Sequence, residues 1–150
     1  MKKFLLVLST SIATLVTGSA LAQTKPADAI AYRQGVYKII GWNFVPMGAM
    51  AKGEKPYDKA AFARHADNVA RVASLAIEGF GEGTDAGAPT KAKAEIWTKM
   101  EDFKTKMTKM NEETTKLAAI AKTGSFDDIK KQLGATGASC KACHDDYRSK

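Results

Sequence analysis

Two cysteines and a histidine lie close together in the last part of this 150-residue sequence, in the order Cys140-Lys141-Ala142-Cys143-His144. Residues i, i+3 and i+4 of an α-helix share one face, so this spacing predicts that the three side chains lie on the same side of a helix. The sequence has no other cysteine, and its other histidine, His65, is far away along the chain. The motif lies near the end of the sequence, so we expect any second metal ligand opposite His144 to come from an upstream segment.

The C-x-x-C-H spacing is typical of covalent attachment of a c-type haem, in which both thiols bind the porphyrin and the histidine binds the iron. A redox dithiol would normally follow a strand in a βαβ pattern, which the sequence lacks. A zinc site would need a fourth soft ligand, and a simple disulfide is the remaining alternative. We predict one haem c per chain, bound through Cys140 and Cys143, with His144 as the metal ligand.

The N-terminal segment has the pattern of an export signal. A positively charged start and an apolar run from Phe4 to Val16 precede Ala20-Leu21-Ala22, an A-x-A cleavage site. The apolar run is too short and too interrupted for a good membrane span, although an uncleaved anchor is the alternative. We predict a signal peptide over residues 1–22, cleaved after Ala22, and a single periplasmic domain over residues 23–150 with no membrane span.

The charge pattern excludes some classes of function. The formal net charge is +7, but the lysines and arginines are interleaved with acidic residues rather than clustered. This distribution argues against nucleic acid as a partner of an exported protein. No arrangement of acid, base and nucleophile accompanies the cysteine motif, so we expect a binding or electron-transfer protein rather than an enzyme.

Four segments have helical periodicity, and none has the alternation of a strand. They cover about residues 26–51, 58–80 and 91–122, and the last begins at Ser125. Cys140 and Cys143 fall on the apolar seam of the fourth segment, together with Ile129, Leu133 and Tyr147. The pattern predicts an all-α fold, an antiparallel four-helix bundle with the haem bound between helices.

Several short blocks carry a resemblance to a known family. They are Tyr32-Arg33-Gln34, Lys55-Pro56-Tyr57-Asp58, Gly81-Glu82-Gly83-Thr84, Glu95-Ile96-Trp97 and the block from Gly137 to Arg148. With these blocks the chain resembles cytochrome c′, the class II c-type cytochromes, over essentially the whole sequence after the signal. The resemblance implies a five-coordinate, high-spin iron that only His144 holds.

The resemblance also implies roles for individual residues. Arg33 matches a position near a haem propionate, and Arg148 matches the arginine on the proximal side, close to the axial histidine. Tyr37 falls at the distal position, where many relatives have a smaller apolar residue. We expect it to control ligand access by its bulk, and the alternative is that its hydroxyl donates a hydrogen bond to a bound ligand. Phe80 and Trp97 are expected to pack near the porphyrin, although core packing alone would explain them.

The sixth iron ligand separates two possible functions. Electron-transfer cytochromes usually fill that position with methionine or histidine. Met47 lies about 15 Å beyond Tyr37 along a helix, which is too far, and Met100, Met107 and Met110 are expected in the core. We therefore expect a vacant site that binds nitric oxide or carbon monoxide. The alternative is an electron-transfer cytochrome with a redox partner protein.

The resemblance implies an oligomeric state as well. Cytochromes c′ commonly form antiparallel homodimers, and Trp42 and Phe44 in the first helix are the candidates for the subunit contact. The alternative is a monomer in which both aromatic residues belong to the core. His65 is expected at the boundary between core and surface, not on the iron.

Overall fold

The structure, a computed structural model, describes residues 25–150. The helices are α1 (Pro26–Ala51), α2 (Lys59–Ala73), the short α3 (Glu95–Thr98), α4 (Met100–Thr123) and α5 (Phe126–Tyr147). The four long helices form a four-helix bundle, in which α1 packs on α2, α2 on α4 and α4 on α5. This confirms the predicted fold class. The predicted signal peptide, residues 1–22, lies outside the described residues.

Local signals define the starts of α1, α2 and α5. Pro26 occupies the first turn of α1, where its missing N–H leaves no hydrogen bond unmade. The Asp58 side chain accepts a hydrogen bond from Ala61 N at 3.0 Å, and Ser125 Oγ accepts one from Asp128 N at 3.2 Å. Such caps satisfy backbone donors at helix N-termini. Among residues 25–150, no helix is both long and apolar enough to cross a bilayer.

The predicted start of the third helix at residue 91 is wrong. Residues 91–94 are not helical, and Ala92 forms an isolated antiparallel bridge with Arg148. Lys99 then interrupts the helix between α3 and α4, with φ −124° and ψ 39°. The continuous helical period of this region therefore starts only at Met100, because residues 91–93 pair with the chain end and Lys99 separates the short α3 from α4.

The end of the second predicted helix also differs from the expectation. The winding tightens from α-helical to 3₁₀ over Ser74–Phe80. In this stretch the backbone at Gly79 approaches α1 so closely that a Cβ there would lie 2.7 Å from Arg33 Cβ and 2.8 Å from Ala29 O. Only glycine fits at such a close contact between backbones. The close approach at Gly79 lets the next residue, Phe80, pack in the core.

The core divides into two clusters. The apolar cluster contains Met47, Met50, Phe62, Val69, Leu117, Ile129 and Leu133. The cysteine cluster contains buried Val36, Phe80, Ile96, Phe103, Met107, Met110 and Tyr147, against which Tyr37, Trp97, Cys140 and Cys143 pack. Met47 therefore belongs to the cluster without the cysteines, as its distance from Tyr37 along the sequence predicts.

A buried amide links α1 to α2. Asn43 Nδ2 donates to Ile39 O at 2.9 Å, and Asn43 Oδ1 accepts from Asn68 Nδ2 at 3.0 Å. His65 Nδ1 also lies 3.0 Å from Asn43 Oδ1, which requires a hydrogen on Nδ1. His65 is thus a half-buried boundary residue with a polar partner, in agreement with the expectation.

The outer face of α1 is unusually apolar for a surface. Trp42 is 80 % exposed, Val45 71 % and Ile39 47 %. Phe44, by contrast, packs against the apolar cluster. Of the two aromatic residues predicted for a subunit contact, Trp42 is the one that this face presents.

Candidate haem site

The two cysteines of α5 are free thiols, half-buried on the wall of the cysteine cluster. Burial raises the pKa of the Cys143 thiol to about 11, and burial likewise raises the pKa of Cys140. Both thiols are therefore neutral near pH 7. Neutral sulfur in an apolar wall suits thioether bonds to a porphyrin better than it suits a thiolate–metal site.

Aromatic rings run through the cysteine cluster from one side to the other. Ring centroids are 6.5 Å apart for Tyr37 and Phe80, 4.8 Å for Phe80 and Phe103, and 5.3 Å for Phe103 and Tyr147. Trp97 lies 6.0 Å from Phe80. Such tilted and edge-on contacts are favourable for aromatic pairs and fix the rings relative to one another. The result is a rigid apolar wall beside the thiols.

Tyr37 brings the predicted distal residue into this wall. Its hydroxyl donates a hydrogen bond to the Met107 sulfur over 3.7 Å. Burial raises the pKa of Tyr37 well above its ordinary value, so the hydroxyl keeps its proton. Thioether sulfur is a weak acceptor, and the side chain therefore contributes mainly ring volume at this position.

Arg33 is buried beside the same wall, with 2 % of its surface exposed. Its Nη1 donates to Gly79 O at 2.6 Å and Thr84 O at 2.9 Å, and Nη2 donates to Thr90 Oγ1 at 3.3 Å. Burial lowers the pKa of Arg33, and no salt bridge offsets its charge within residues 25–150. Arg33 thus fastens the loop before α3 to α1.

The Arg33 guanidinium also stacks on the aromatic wall. It lies 4.6 Å from the Phe80 centroid and 5.4 Å from the Trp97 centroid. Such cation–π contacts stabilise an arginine that lacks a carboxylate partner. The Trp97 indole is held in turn, because its Nε1 donates to Gly81 O at 2.9 Å.

An open cavity of about 540 Å³ borders Phe80 and Trp97. Its lining consists of Ile77, Glu78, Phe80, Gly81, Glu82, Trp97, Met100 and Lys104. The lining combines apolar side chains with the charged Glu78, Glu82 and Lys104. Neither of the cysteines nor His144 lines this cavity, so it is separate from the haem-attachment motif.

The two remaining predicted site residues, His144 and Arg148, are exposed at the end of α5. His144 lies in the last turn of α5, and Arg148 directly follows the helix. Partial desolvation lowers the pKa of His144, and the positive charge of Arg148 lowers it further. The neutral imidazole that metal coordination requires is thereby favoured.

The residues present fit a c-type haem. Two free thiols on one helical face, an adjacent imidazole and an aromatic wall supply what covalent attachment and iron ligation need. The zinc alternative has no ligand set here, since no group of three His, Cys, Asp or Glu side chains within residues 25–150 is arranged to hold a metal ion.

A four-helix bundle whose last helix carries C-x-x-C-H defines a class of c-type haem proteins. The family model for cytochrome c′ matches residues 28–148, and the chain belongs to the cytochrome c′ family. The protein accordingly binds a c-type haem. Its two cysteines, Cys140 and Cys143, are consistent with covalent attachment of that haem.

Individual relatives agree in sequence and in structure. The chain is 44 % identical over 130 residues to the cytochrome c′ of Halomonas halodenitrificans, covering 83 % of this chain and 98 % of the relative. The cytochrome c′ structure from Shewanella frigidimarina matches with a TM-score of 0.82 and 45 % identity, over 85 % of this chain and 99 % of that one. A nitric oxide complex of a variant cytochrome c′ from Alcaligenes xylosoxidans matches with a TM-score of 0.78 and 37 % identity, over 85 % and 98 % of the two chains.

Sequence reasoning did not identify the partners of Arg33. Thr84 and Thr90 lie 51 and 57 positions away along the chain. Neither belongs to a periodic segment, and a buried arginine without a carboxylate partner has no signature in the sequence. The Tyr37–Met107 contact has no sequence signal either, because the sequence predicts Tyr37 at the distal haem position and Met107 in the core without relating the two.

Proposed function

We propose that this protein is a periplasmic gas-binding haem protein. His144 is the only protein ligand to the iron, and nitric oxide or carbon monoxide binds at the opposite face. One observation carries the proposal: α1 contributes Tyr37, rather than methionine or histidine, to the cluster that contains both cysteines. The nitric oxide complex of the Alcaligenes relative supports it.

Two of the other candidate ligands are engaged away from the cysteines. Met47 is fully buried in the apolar cluster, and His65 is hydrogen-bonded to Asn43. Met100, Met107 and Met110 of α4 pack in the cysteine cluster as core residues, and the Met107 sulfur accepts the hydrogen bond from Tyr37. This distribution supports a haem with one vacant axial position.

The haem supplies an iron that can take a diatomic ligand at its open face. The protein contributes a neutral imidazole at His144 and an aromatic wall that excludes water. Tyr37 restricts entry by its ring volume. An apolar pocket of this kind gives bound dioxygen little hydrogen-bond stabilisation, whereas nitric oxide and carbon monoxide depend less on it.

Location and assembly belong to the same proposal. Residues 1–22 direct the chain to the periplasm, where haem attachment takes place. Two copies associate through the outer face of α1, on which Trp42 and Val45 are largely exposed. Large exposed apolar side chains next to each other commonly mark a protein interface.

Absorption spectra of the holoprotein test the proposal. The full-length precursor should be produced in a bacterium with an active haem-attachment system and purified in its mature form. We expect a five-coordinate, high-spin spectrum in both oxidation states and a new Soret band on adding carbon monoxide or nitric oxide to the ferrous form. A low-spin, six-coordinate ferrous spectrum would contradict the proposal. Rapid electron exchange with a redox partner, together with negligible nitric oxide binding, would favour electron transfer instead.

A further inference from the structure

The chain that follows the haem-attachment helix is paired with the segment before α3. We call this pairing, between residues 91–93 and 147–149, the terminal clamp. Two backbone hydrogen bonds form it, Lys93 N to Tyr147 O at 3.0 Å and Ser149 N to Lys91 O at 2.9 Å, and together they make the antiparallel Ala92–Arg148 bridge. The clamp begins three residues after His144.

The Lys93 side chain reaches from the clamp to the end of α5. Its ammonium donates to Asp146 O at 2.9 Å and to Asp145 O at 3.2 Å. Carbonyls in the last turn of a helix lack intrahelical partners and carry partial negative charge. A lysine from another segment therefore caps the turn that contains His144.

Helix α4 holds the same turn from a second side. Lys106 Nζ lies 2.9 Å from Asp146 Oδ2, and the buried Tyr147 donates its hydroxyl hydrogen to Asp102 Oδ2 at 2.5 Å. The residues immediately after His144 are therefore fixed by both α4 and the terminal clamp.

The His144 side chain is exposed at the end of α5, and within residues 25–150 the side-chain hydrogen bonds around it join its neighbours, such as Tyr147 to Asp102, and not its own ring. Metal-bound histidines usually donate their second ring N–H to a carboxylate or carbonyl, which fixes the orientation of the ring. Without such a group in the described part of the chain, the imidazole orientation depends on the backbone of the last turn of α5. Contacts that hold the last turn of α5 in place therefore also set the orientation of the His144 imidazole.

We propose that Lys93 is a positioning residue for the iron ligand. Through its ammonium cap and the terminal clamp, Lys93 holds the last turn of α5 so that His144 meets the iron in a single orientation. The inference rests on the proposed coordination of the iron by His144. It goes beyond that coordination by assigning control of the ligand to a residue outside the haem-attachment helix.

The test compares Lys93→Met with Lys93→Arg and Lys130→Met in the mature holoprotein. Lys93→Arg retains a charged donor. Lys130→Met makes the same charge change on α5, at a surface pair with Asp127, about 21 Å from residue 144 along the helix. The measurements are the iron–histidine stretching band of the ferrous protein, the Soret circular dichroism and the hydrogen exchange of individual amides.

Lys93→Met is expected to shift the iron–histidine band to lower frequency, broaden it and change the Soret dichroism. The amides of Arg148 and Ser149 should exchange about tenfold faster, as expected for the loss of a charged hydrogen bond. Lys93→Arg and Lys130→Met should match the wild type in all three measurements.

Two results would overturn the inference. One is a Lys93→Met protein in which amide hydrogen exchange is faster but the iron–histidine stretching band and the Soret dichroism are unchanged. Lys93 would then hold the chain end without affecting the His144 ligand. The other is no change in any measurement. A low-spin wild-type ferrous protein would instead contradict the proposed function, and the Soret dichroism would still decide the role of Lys93.

Discussion

The Tyr37 hydroxyl of α1 meets the Met107 sulfur of α4 over 3.7 Å, in the cluster that also contains both cysteines. The phenol therefore reaches across the bundle and fills space that a smaller residue would leave open. Its hydroxyl has a weak acceptor, and its ring packs edge-on against Phe80. Ring volume, more than hydrogen bonding, is what Tyr37 contributes.

Removing that ring should open the distal side. Tyr37→Ala is expected to accelerate carbon monoxide binding by about tenfold or more, a barrier change of about 1.4 kcal/mol. Tyr37→Phe keeps the ring and should change the rate much less. Flash photolysis of the ferrous carbon monoxide complex measures both rates. Equal effects of the two substitutions would show that the hydroxyl, not the ring, controls binding.

Gly79 should tolerate no side chain. A Cβ at this position would meet Arg33 Cβ at 2.7 Å and Ala29 O at 2.8 Å. Gly79→Ala is expected to lower the free energy of unfolding by about 1–3 kcal/mol, the usual range for overpacking. Urea denaturation of the holoprotein measures the change.

Gly134 provides the matched control within α5. Nothing lies within 4 Å of a Cβ built there. Gly134→Ala should therefore raise the free energy of unfolding by up to about 1 kcal/mol, because alanine favours the helix. If Gly134→Ala instead weakened haem attachment, the residue would be needed for close approach of the porphyrin.

The carboxylate of Glu113 should make stability depend on pH. Glu113 pairs with Lys109 at 2.8 Å and Lys116 at 3.2 Å, and it accepts a hydrogen bond from Gln132 of α5 at 2.6 Å. The bond from Lys109, followed by those from Gln132 and Lys116, lowers the pKa of Glu113 from 4.5 to about 2. A lowered folded-state pKa stabilises the protein above the unfolded pKa, and this stabilisation is lost as the pH falls.

The free energy of unfolding should accordingly differ between wild type and Glu113→Gln above about pH 5, and the difference should shrink as the pH approaches about 2. Urea denaturation at several pH values measures it. Glu112→Gln removes a neighbouring carboxylate whose contact with Lys109 is longer, 3.9 Å, and should show a smaller difference. A difference independent of pH would contradict the assigned role of the Glu113 charge.

The exposed face of α1 should hold a dimer together. Trp42→Glu places a charge at its most exposed aromatic side chain, and it should weaken the association by about 2 kcal/mol or more, the scale of an interface hot spot. Sedimentation velocity over a range of concentrations measures the change. Ala135→Glu, an exposed position on α5, should leave the dimer intact. A wild-type protein that is monomeric at all concentrations would contradict the proposed assembly.

Much of the fold and part of the site could be predicted from the sequence. The bounds of α1 and the start of α5 follow from Pro26, Ser125 and the helical period, since these signals are local. The motif likewise put Cys140 and Cys143 on the core-facing side of α5, where the structure has them.

The remaining features depend on contacts between distant residues. The sequence pattern predicts a helix over residues 91–94, but the backbone of residues 91–93 pairs with residues 147–149. Arg33 was expected at the haem site from the family resemblance, and its hydrogen bonds to the loop before α3 could not be foreseen. No local pattern of residues encodes a partner that lies fifty or more positions away.

The buried amide of Asn43 has a consequence for how α1 lies against α2. Much of the α2 surface is alanine, and small apolar side chains would allow the two helices to slide past each other by a turn at little cost. Asn43 opposes such slippage, because the amide would lose Asn68 and His65 as partners and remain unsatisfied in the interior. The Asn43 amide thereby selects one register for α1 against α2. The same register sets the direction in which the Trp42 side chain projects from the surface.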